Sequence, residues 1–214
     1  MSHSLHDQRR EYDAPPIEES SLSPSPFLQF QEWFQTATGE KLLEPNAMTL
    51  ATVDEKGRPT QRTVLLKYFD EKGFVFFTNY SSRKAKHIIE NAHVGALFQW
   101  LPLQRQLAIE GRAEKVSTLE SMKYFAARPR GSQLGAWVSE QSTVITSRSL
   151  LEMKLAELKA KFSNGDVPWP SFWGGFRIVP DRFEFWQGQP SRLHDRFEYL
   201  LQANGTWLRQ RLSP

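Results

Sequence analysis

Apolar residues recur at helical spacing early in the chain. Phe27, Phe30, Phe34 and Ala37 fall between Ser25-Pro26 and Gly39. Ser before Pro opens a helix and Gly closes one, so a helix is expected there. The pattern then changes to short β-prone runs, Met48–Val53, Gln61–Tyr68 and Phe74–Thr78. They are parted by the turn sequences Asp54-Glu55-Lys56-Gly57 and Asp70-Glu71-Lys72-Gly73. Runs and turns of this kind predict a meander of antiparallel hairpins. A short helix is expected over 83–91 with Ser82 as its cap, followed by strands over 94–100 and 104–116.

Ser117-Thr118-Leu119-Glu120 has the spacing of a capping box and opens another helix, which Pro129 stops or bends. Leu151, Leu155, Leu158 and Phe162 form one stripe of a helix over 147–162, with Asn164-Gly165 as its exit. Strands return over 176–179, 182–186, 196–201 and 207–212, the last two joined by Asn204-Gly205. Strands dominate, without regular strand-helix alternation. The expected class is α+β, an antiparallel barrel with flanking helices. Residues 1–26 are rich in Ser, Pro and charge and read as a flexible N-terminal tail. Residues 27–214 read as a single domain.

Composition narrows the function. The 214 residues include no cysteine, which excludes a disulfide framework, a thiolate metal site and a cysteine nucleophile. Five scattered His and the absence of HExxH lead us to expect no metal site, and there is no GxGxxG or GxSxG. No apolar run has the length of a membrane span, and Met1–Tyr12 lacks the apolar centre of a signal peptide. A cytoplasmic protein is therefore expected, with no membrane partner. The net charge of +3 is modest and forms no concentrated basic stripe, so no nucleic-acid partner is expected either.

The informative bases are local. Ser81-Ser82-Arg83-Lys84 stands at a helix start, where free N–H groups and the dipole favour an anion, although a plain capped surface helix has the same look. Tyr124 and Arg128 are four apart on one helix face, with Ser132 just beyond Pro129. Arg192, His194 and Arg196 would share a face of an extended strand and call for something anionic opposite, or else be a solvated edge. Arg62 and Lys67, five apart, should face opposite sides of their strand unless a bulge brings them together.

Several stretches together resemble the pyridoxamine (pyridoxine) 5′-phosphate oxidase family. They are RREY at 9–12, QRTVLLK at 61–67, FFTNYSSRKA at 76–85, MKYFAARPRGSQLGAWVSEQS at 122–142, PSFWGGFR at 170–177, EFWQG at 184–188 and RLHDRF at 192–197. The resemblance implies an FMN-binding split β-barrel and a homodimer with FMN at the subunit interface. It implies oxidation of pyridoxamine or pyridoxine 5′-phosphate to pyridoxal 5′-phosphate. A hydride passes from C4′ to flavin N5, O2 is reduced to H2O2, and the amine substrate releases ammonia. It places FMN against Arg62, Thr63, Val64, Leu65, Leu66 and Lys67, against Phe77, Thr78, Arg83 and Lys84, and against Gln106, Gln141, Ser142, Trp186 and Arg196. Phe77, where some members have Tyr, would contribute mainly backbone. It assigns the substrate phosphate to Lys67, Tyr124, Arg128 and Ser132. Arg192, Leu193 and His194 would lie at the substrate ring, Arg192 and His194 as catalytic residues, with Arg9 and Tyr12 closing from the tail. The alternative is a flavin- or pyridoxal-phosphate-binding split barrel without oxidase turnover.

Overall fold

The first helix, α1 (Pro26–Gly39), follows the expected bounds. Its Phe27, Phe30, Trp33 and Ala37 are buried. The structure, a computed structural model, describes residues 4–6 and 11–214. Beyond α1 come β1 (Ala47–Val53), β2 (Pro59–Leu65), β3 (Tyr68–Asp70), β4 (Gly73–Asn79), α2 (Arg83–Glu90), β5 (His93–Trp100) and β6 (Arg105–Lys115). Three helices follow, α3 (Thr118–Ala127), α4 (Arg130–Val138) and α5 (Arg148–Lys161), then β7 (Trp173–Gln187), β8 (Asp195–Leu201) and β9 (Trp207–Arg211). The strand order is β2-β1-β5-β6-β7-β4-β3, with β8 pairing β7 and β9. The pairs β3–β4, β4–β7, β7–β8 and β8–β9 are antiparallel.

The structure departs from the sequence reading at four places. The run expected as one strand over 61–68 breaks at Leu66-Lys67, between β2 and β3. The two strands expected over 176–186 are one strand, β7. Its Pro180 falls between the stretch registered with β4, ending at Ile178, and the stretch registered with β8, starting at Arg182. Pro129 ends α3, leaving Arg128 extended at φ −75°, ψ 149°, and a further helix, α4, begins at once. Arg192 is not in a strand: Pro190–Arg192 is a 3-10 turn with Arg192 at φ 63°, and β8 starts only at Asp195. The shared-face argument for Arg192, His194 and Arg196 therefore fails.

The chain divides into two compact units. The first comprises the described residues up to Thr49, with Gly95–Glu110 and Pro180–Pro214. Its core is aromatic. Phe30 lies 5.2 Å from Phe98, Trp33 5.1 Å from Phe185, and Phe27 5.3 Å from Phe183, centroid to centroid. Each such pair contributes about 0.5–1.5 kcal/mol beyond its buried area. Tyr199 is fully buried and its hydroxyl donates to the Ser23 carbonyl at 2.7 Å, which ties residues before α1 to this core.

The second unit comprises Leu50–Val94 and Gly111–Val179. Phe125, Leu134, Val167 and Trp173 are buried together, and Leu155, Leu158 and Phe162 cover them from one side of α5. Ser82 caps α2 by accepting from the Ala85 N–H, and Ser117 caps α3 by accepting from the Glu120 N–H. Each cap contributes about 1 kcal/mol. The box at α3 is half made: the Glu120 carboxylate turns to the Tyr68 hydroxyl and Arg177.

Candidate active site

In the second unit, the break after β2 decides the site. Lys67 donates its N–H to the Val75 carbonyl at 2.8 Å, and the chain leaves its regular alternation there. As a result Arg62 and Lys67 line the same cavity, the bulge outcome and not the opposite-face one. That cavity has a volume of about 490 Å³. Thr63, Val64, Leu65, Phe77, Thr78, Lys84, Tyr124, Arg128, Ser132, Gln141 and Trp173 also face it. Leu66 is buried at 4% exposure and does not face it.

One end of the cavity is a cationic, hydroxyl-lined cradle. Lys84 Nζ donates to Thr78 Oγ1 at 3.1 Å and to Gln141 Oε1 at 2.9 Å, and Thr78 Oγ1 donates to the same Gln141 oxygen. The Arg83 N–H at the start of α2 donates to Ser142 Oγ at 3.3 Å. Burial, then the charge of Arg62, holds Lys84 down at about 8 from its ordinary 10.5. Arg62 is likewise lowered, by burial and then by Arg83. Among the described residues no carboxylate pairs with Arg62, Arg83 or Lys84. Arg62 and Lys84, cations that burial disfavours and no acid neutralises, need an anion. Ser82 Oγ serves the helix cap and also lies 3.5 Å from Lys84 Nζ and from Thr78 Oγ1.

The other end is aromatic with one desolvated cation. Phe77 stacks on Tyr124 at 4.0 Å and on Trp173 at 5.3 Å, nearly parallel to both. Gly175 makes room for this, since a Cβ there would meet Phe77 at 2.9 Å. Phe77 therefore contributes its ring as well as backbone. Arg128 lies over Trp173 at 4.4 Å, and its Nη1 is buried without a hydrogen-bond partner. Burial lowers the Arg128 guanidinium and raises the Tyr124 hydroxyl. An orphaned buried donor on a permanent cation is costly unless a ligand oxygen meets it. Trp173 was missed as a site residue, although it stands inside the PSFWGGFR stretch.

The first unit holds the remaining expected residues that the structure describes. Gln106, Trp186 and Arg196 line a separate cavity of about 290 Å³ together with Glu184. Arg196 is ion-paired to Glu184 at 2.9 Å and donates to the Ser213 carbonyl. His194 sits 4.7 Å from Trp186, and Tyr12 meets both rings edge-on at 5.5 and 5.6 Å. His194 Nδ1 accepts the Gln189 N–H at 3.0 Å, so the neutral ring carries its proton on Nε2. Leu193 is exposed, and Arg192 makes no ion pair among the described residues. Arg9 lies outside the described residues.

Tyr12 is held by a strap that the sequence did not announce. Gln104 Oε1 accepts from the Asp13 and Ala14 N–H groups, and its Nε2 donates to Asp13 Oδ1. Gln187 and Gln189 both donate to the Pro15 carbonyl. Asp195 Oδ2 accepts from the Ile17 N–H, while its Oδ1 pairs with Arg211 at 2.6 Å. Gln104 and Gln189 stand outside the motif stretches, and Gln187, inside EFWQG, was not read for this role.

A family model described as pyridoxamine 5′-phosphate oxidase matches residues 34–162. A second, described as the pyridoxine 5′-phosphate oxidase C-terminal dimerisation region, matches 173–214. The pyridoxine/pyridoxamine 5′-phosphate oxidase of Rippkaea orientalis is 61% identical over 96% of this chain and 97% of its own. Among solved structures, PhzG from Burkholderia lata, in complex with tetrahydrophenazine-1-carboxylic acid, is 28% identical. It has a TM-score of 0.89 and covers 96% of this chain and 100% of its own. A pyridoxamine 5′-phosphate oxidase-related, FMN-binding protein from Nostoc punctiforme shares the fold at 18% identity, with a TM-score of 0.71 over 90% of this chain and 100% of its own.

The class is thus an α+β protein built on an antiparallel split β-barrel with flanking helices. The chain belongs to the pyridoxine/pyridoxamine 5′-phosphate oxidase family. No helix among the described residues is long and apolar enough to cross a membrane.

Proposed function

We propose that this chain is an FMN-dependent oxidase that converts pyridoxamine or pyridoxine 5′-phosphate to pyridoxal 5′-phosphate, with O2 reduced to H2O2 and ammonia released from the amine. The observation that carries the reading is the buried, partnerless Nη1 of Arg128, in one cavity with a second cluster of unneutralised cations. Two cationic ends suit two phosphates, one on the cofactor and one on the substrate. The flat Phe77–Tyr124–Trp173 stack suits a planar ring.

FMN, when bound, supplies the hydride acceptor that these residues lack. Arg62, Arg83, Lys84, Gln141 and Ser142 would hold its phosphate. Lys67, Tyr124, Arg128 and Ser132 would hold that of the substrate and so fix where its ring can lie. Arg192 orients the substituent at C4′ and answers charge that develops there. His194, with Nδ1 occupied by the Gln189 N–H, presents Nε2–H to the ring or its substituents. Gln106, Trp186 and Arg196 would reach the flavin from the other cavity. A homodimer with FMN at the subunit interface accommodates two sets of residues that line different cavities, and residues 173–214 match a region described as dimerising.

The test is direct. The purified chain is loaded with FMN and given pyridoxamine 5′-phosphate under air, with peroxide and aldehyde followed together. Equal yields of the two support the oxidase. A chain that takes up FMN and makes neither product is a binding protein, and one that cannot be loaded with FMN overturns the reading.

A further inference from the structure

Arg62 does not stand alone at the cationic end of the cavity. Its Nη1 donates to the Leu50 carbonyl at 3.1 Å and to Thr52 Oγ1 at 2.8 Å, and its Nη2 donates to Thr60 Oγ1 at 2.5 Å. Three of the five guanidinium N–H groups are thereby committed, and two remain for a ligand. The two hydroxyls that accept from Arg62 converge on one further atom. His87 Nδ1 lies 3.3 Å from Thr52 Oγ1 and 3.4 Å from Thr60 Oγ1. His87 is buried at 8% exposure, one turn beyond Arg83 on α2, the helix whose start carries Lys84.

Donor accounting fixes the direction of this network. Arg62 can only donate, so both threonine oxygens act as acceptors toward it, and each keeps a hydroxyl proton to give. One such proton can go to the lone pair on His87 Nδ1 and the other to the neighbouring threonine oxygen 3.3 Å away, which places the neutral ring's own proton on Nε2. Without that acceptor, one hydroxyl proton is left with no partner but the oxygens that now hold Arg62. The guanidinium would lose its fixed seat.

Resting on the FMN reading above, we propose that His87 is a positioning residue for phosphate recognition: through the Thr52 and Thr60 hydroxyls it holds Arg62 in register with the start of α2. A buried histidine that merely fills space would support all parts of the site equally. A positioning role affects the phosphate alone.

The experiment titrates FMN and riboflavin, which lacks the phosphate, against the full-length chain freed of flavin, reading flavin fluorescence. His87→Leu is expected to weaken FMN roughly tenfold, the order of one misaligned charge-assisted hydrogen bond, and to leave riboflavin unchanged. His87→Gln, whose Oε1 accepts, should stay within about twofold of the parent chain. Thr60→Val should repeat the His87→Leu pattern. In an Arg62→Ala background, His87→Leu should cost nothing more. Equal losses for the two flavins, no loss for FMN, or full additivity with Arg62→Ala would overturn the proposal. If the parent chain binds no FMN, the flavin reading fails by itself. Thermal stabilisation by inorganic phosphate then decides for His87: lost in His87→Leu it supports the role, retained it refutes it.

Discussion

Arg128 lies with its guanidinium carbon 4.4 Å from the centre of the Trp173 ring, while Nη1 of the same group is buried with no partner. The ring stabilises the charge from one face, and nothing in the described chain satisfies the donor. A phosphate oxygen would, and it would be held alike in the ground and transition states. Arg128→Ala is therefore expected to raise KM for pyridoxamine 5′-phosphate by roughly 10- to 100-fold, with kcat nearly unchanged, since a hydrogen bond to a charged group contributes about 1.5–3 kcal/mol. Steady-state kinetics on the FMN-saturated chain measure this. A fall in kcat at constant KM would contradict it.

Lys84 gives the cradle a pH dependence with a definite sign. Its pKa stands at about 8, lowered from 10.5 first by burial and then by Arg62. A bound phosphate favours the ammonium and raises the pKa, so binding takes up a proton above pH 8. FMN affinity should then fall as pH rises beyond about 8, approaching tenfold per pH unit until the pKa of the complex is reached. In the unliganded chain the unfolded state binds more protons between about 8 and 10.5, so this group makes stability rise with pH there. Lys84→Arg, which does not titrate in this range, should flatten the FMN profile measured from pH ~7 to ~10. A slope unchanged by that substitution would rule Lys84 out as its source.

Much of the fold was legible because capping, turn and periodicity signals are local. Ser25-Pro26, Ser82 and Ser117 open their helices where expected. What escaped depends on tertiary contacts. The break at Leu66-Lys67 carries no Gly or Pro, yet it is what turns Lys67 into the cavity of Arg62. For Arg192, His194 and Arg196 alternation suggested one shared strand face, but Pro190 and two positive φ values, at Ser191 and Arg192, set a turn instead. Of the site, the Tyr124–Arg128–Ser132 grouping followed from helix geometry. Gln106 came from resemblance alone, and Arg196 was also reached through a strand face that does not form; their juxtaposition with Trp186 is made by pairing between distant strands and not by spacing.

Gly188 and Tyr12 are in mutual contact in a way that tests the strap. A Cβ on Gly188 would lie 2.7 Å from two ring carbons of Tyr12. Gly188→Ala must therefore push Tyr12 off Trp186 and His194. If Tyr12 closes over the substrate, KM for pyridoxamine 5′-phosphate should rise several-fold while FMN affinity holds. Removing the Gln104 clamp should give the same result. Gln104→Gly is suited to this, since φ at 104 is 54° and glycine takes that conformation without strain. Parent-like kinetics in both variants would take the strap out of substrate binding.

The same conformational argument makes Arg192 separable from its turn. With φ at 63°, Arg192→Gly removes the side chain and relaxes the backbone, whereas Arg192→Ala removes it and leaves the strain. If Arg192 acts only by shaping the turn that carries His194, glycine should restore activity that alanine loses. If its guanidinium orients the C4′ substituent and answers developing charge, both variants should lose kcat alike, by roughly 10²–10³-fold, the scale seen when one preorganised donor to a developing charge is deleted. Arg192→Lys keeps the charge but not the planar fork, and should recover only part of that loss. FMN content should be the same in all three, which separates a defect in the reaction from a defect in loading. Unchanged kcat and KM in Arg192→Gly would remove this residue from the mechanism and leave His194 as the catalytic side chain of the turn.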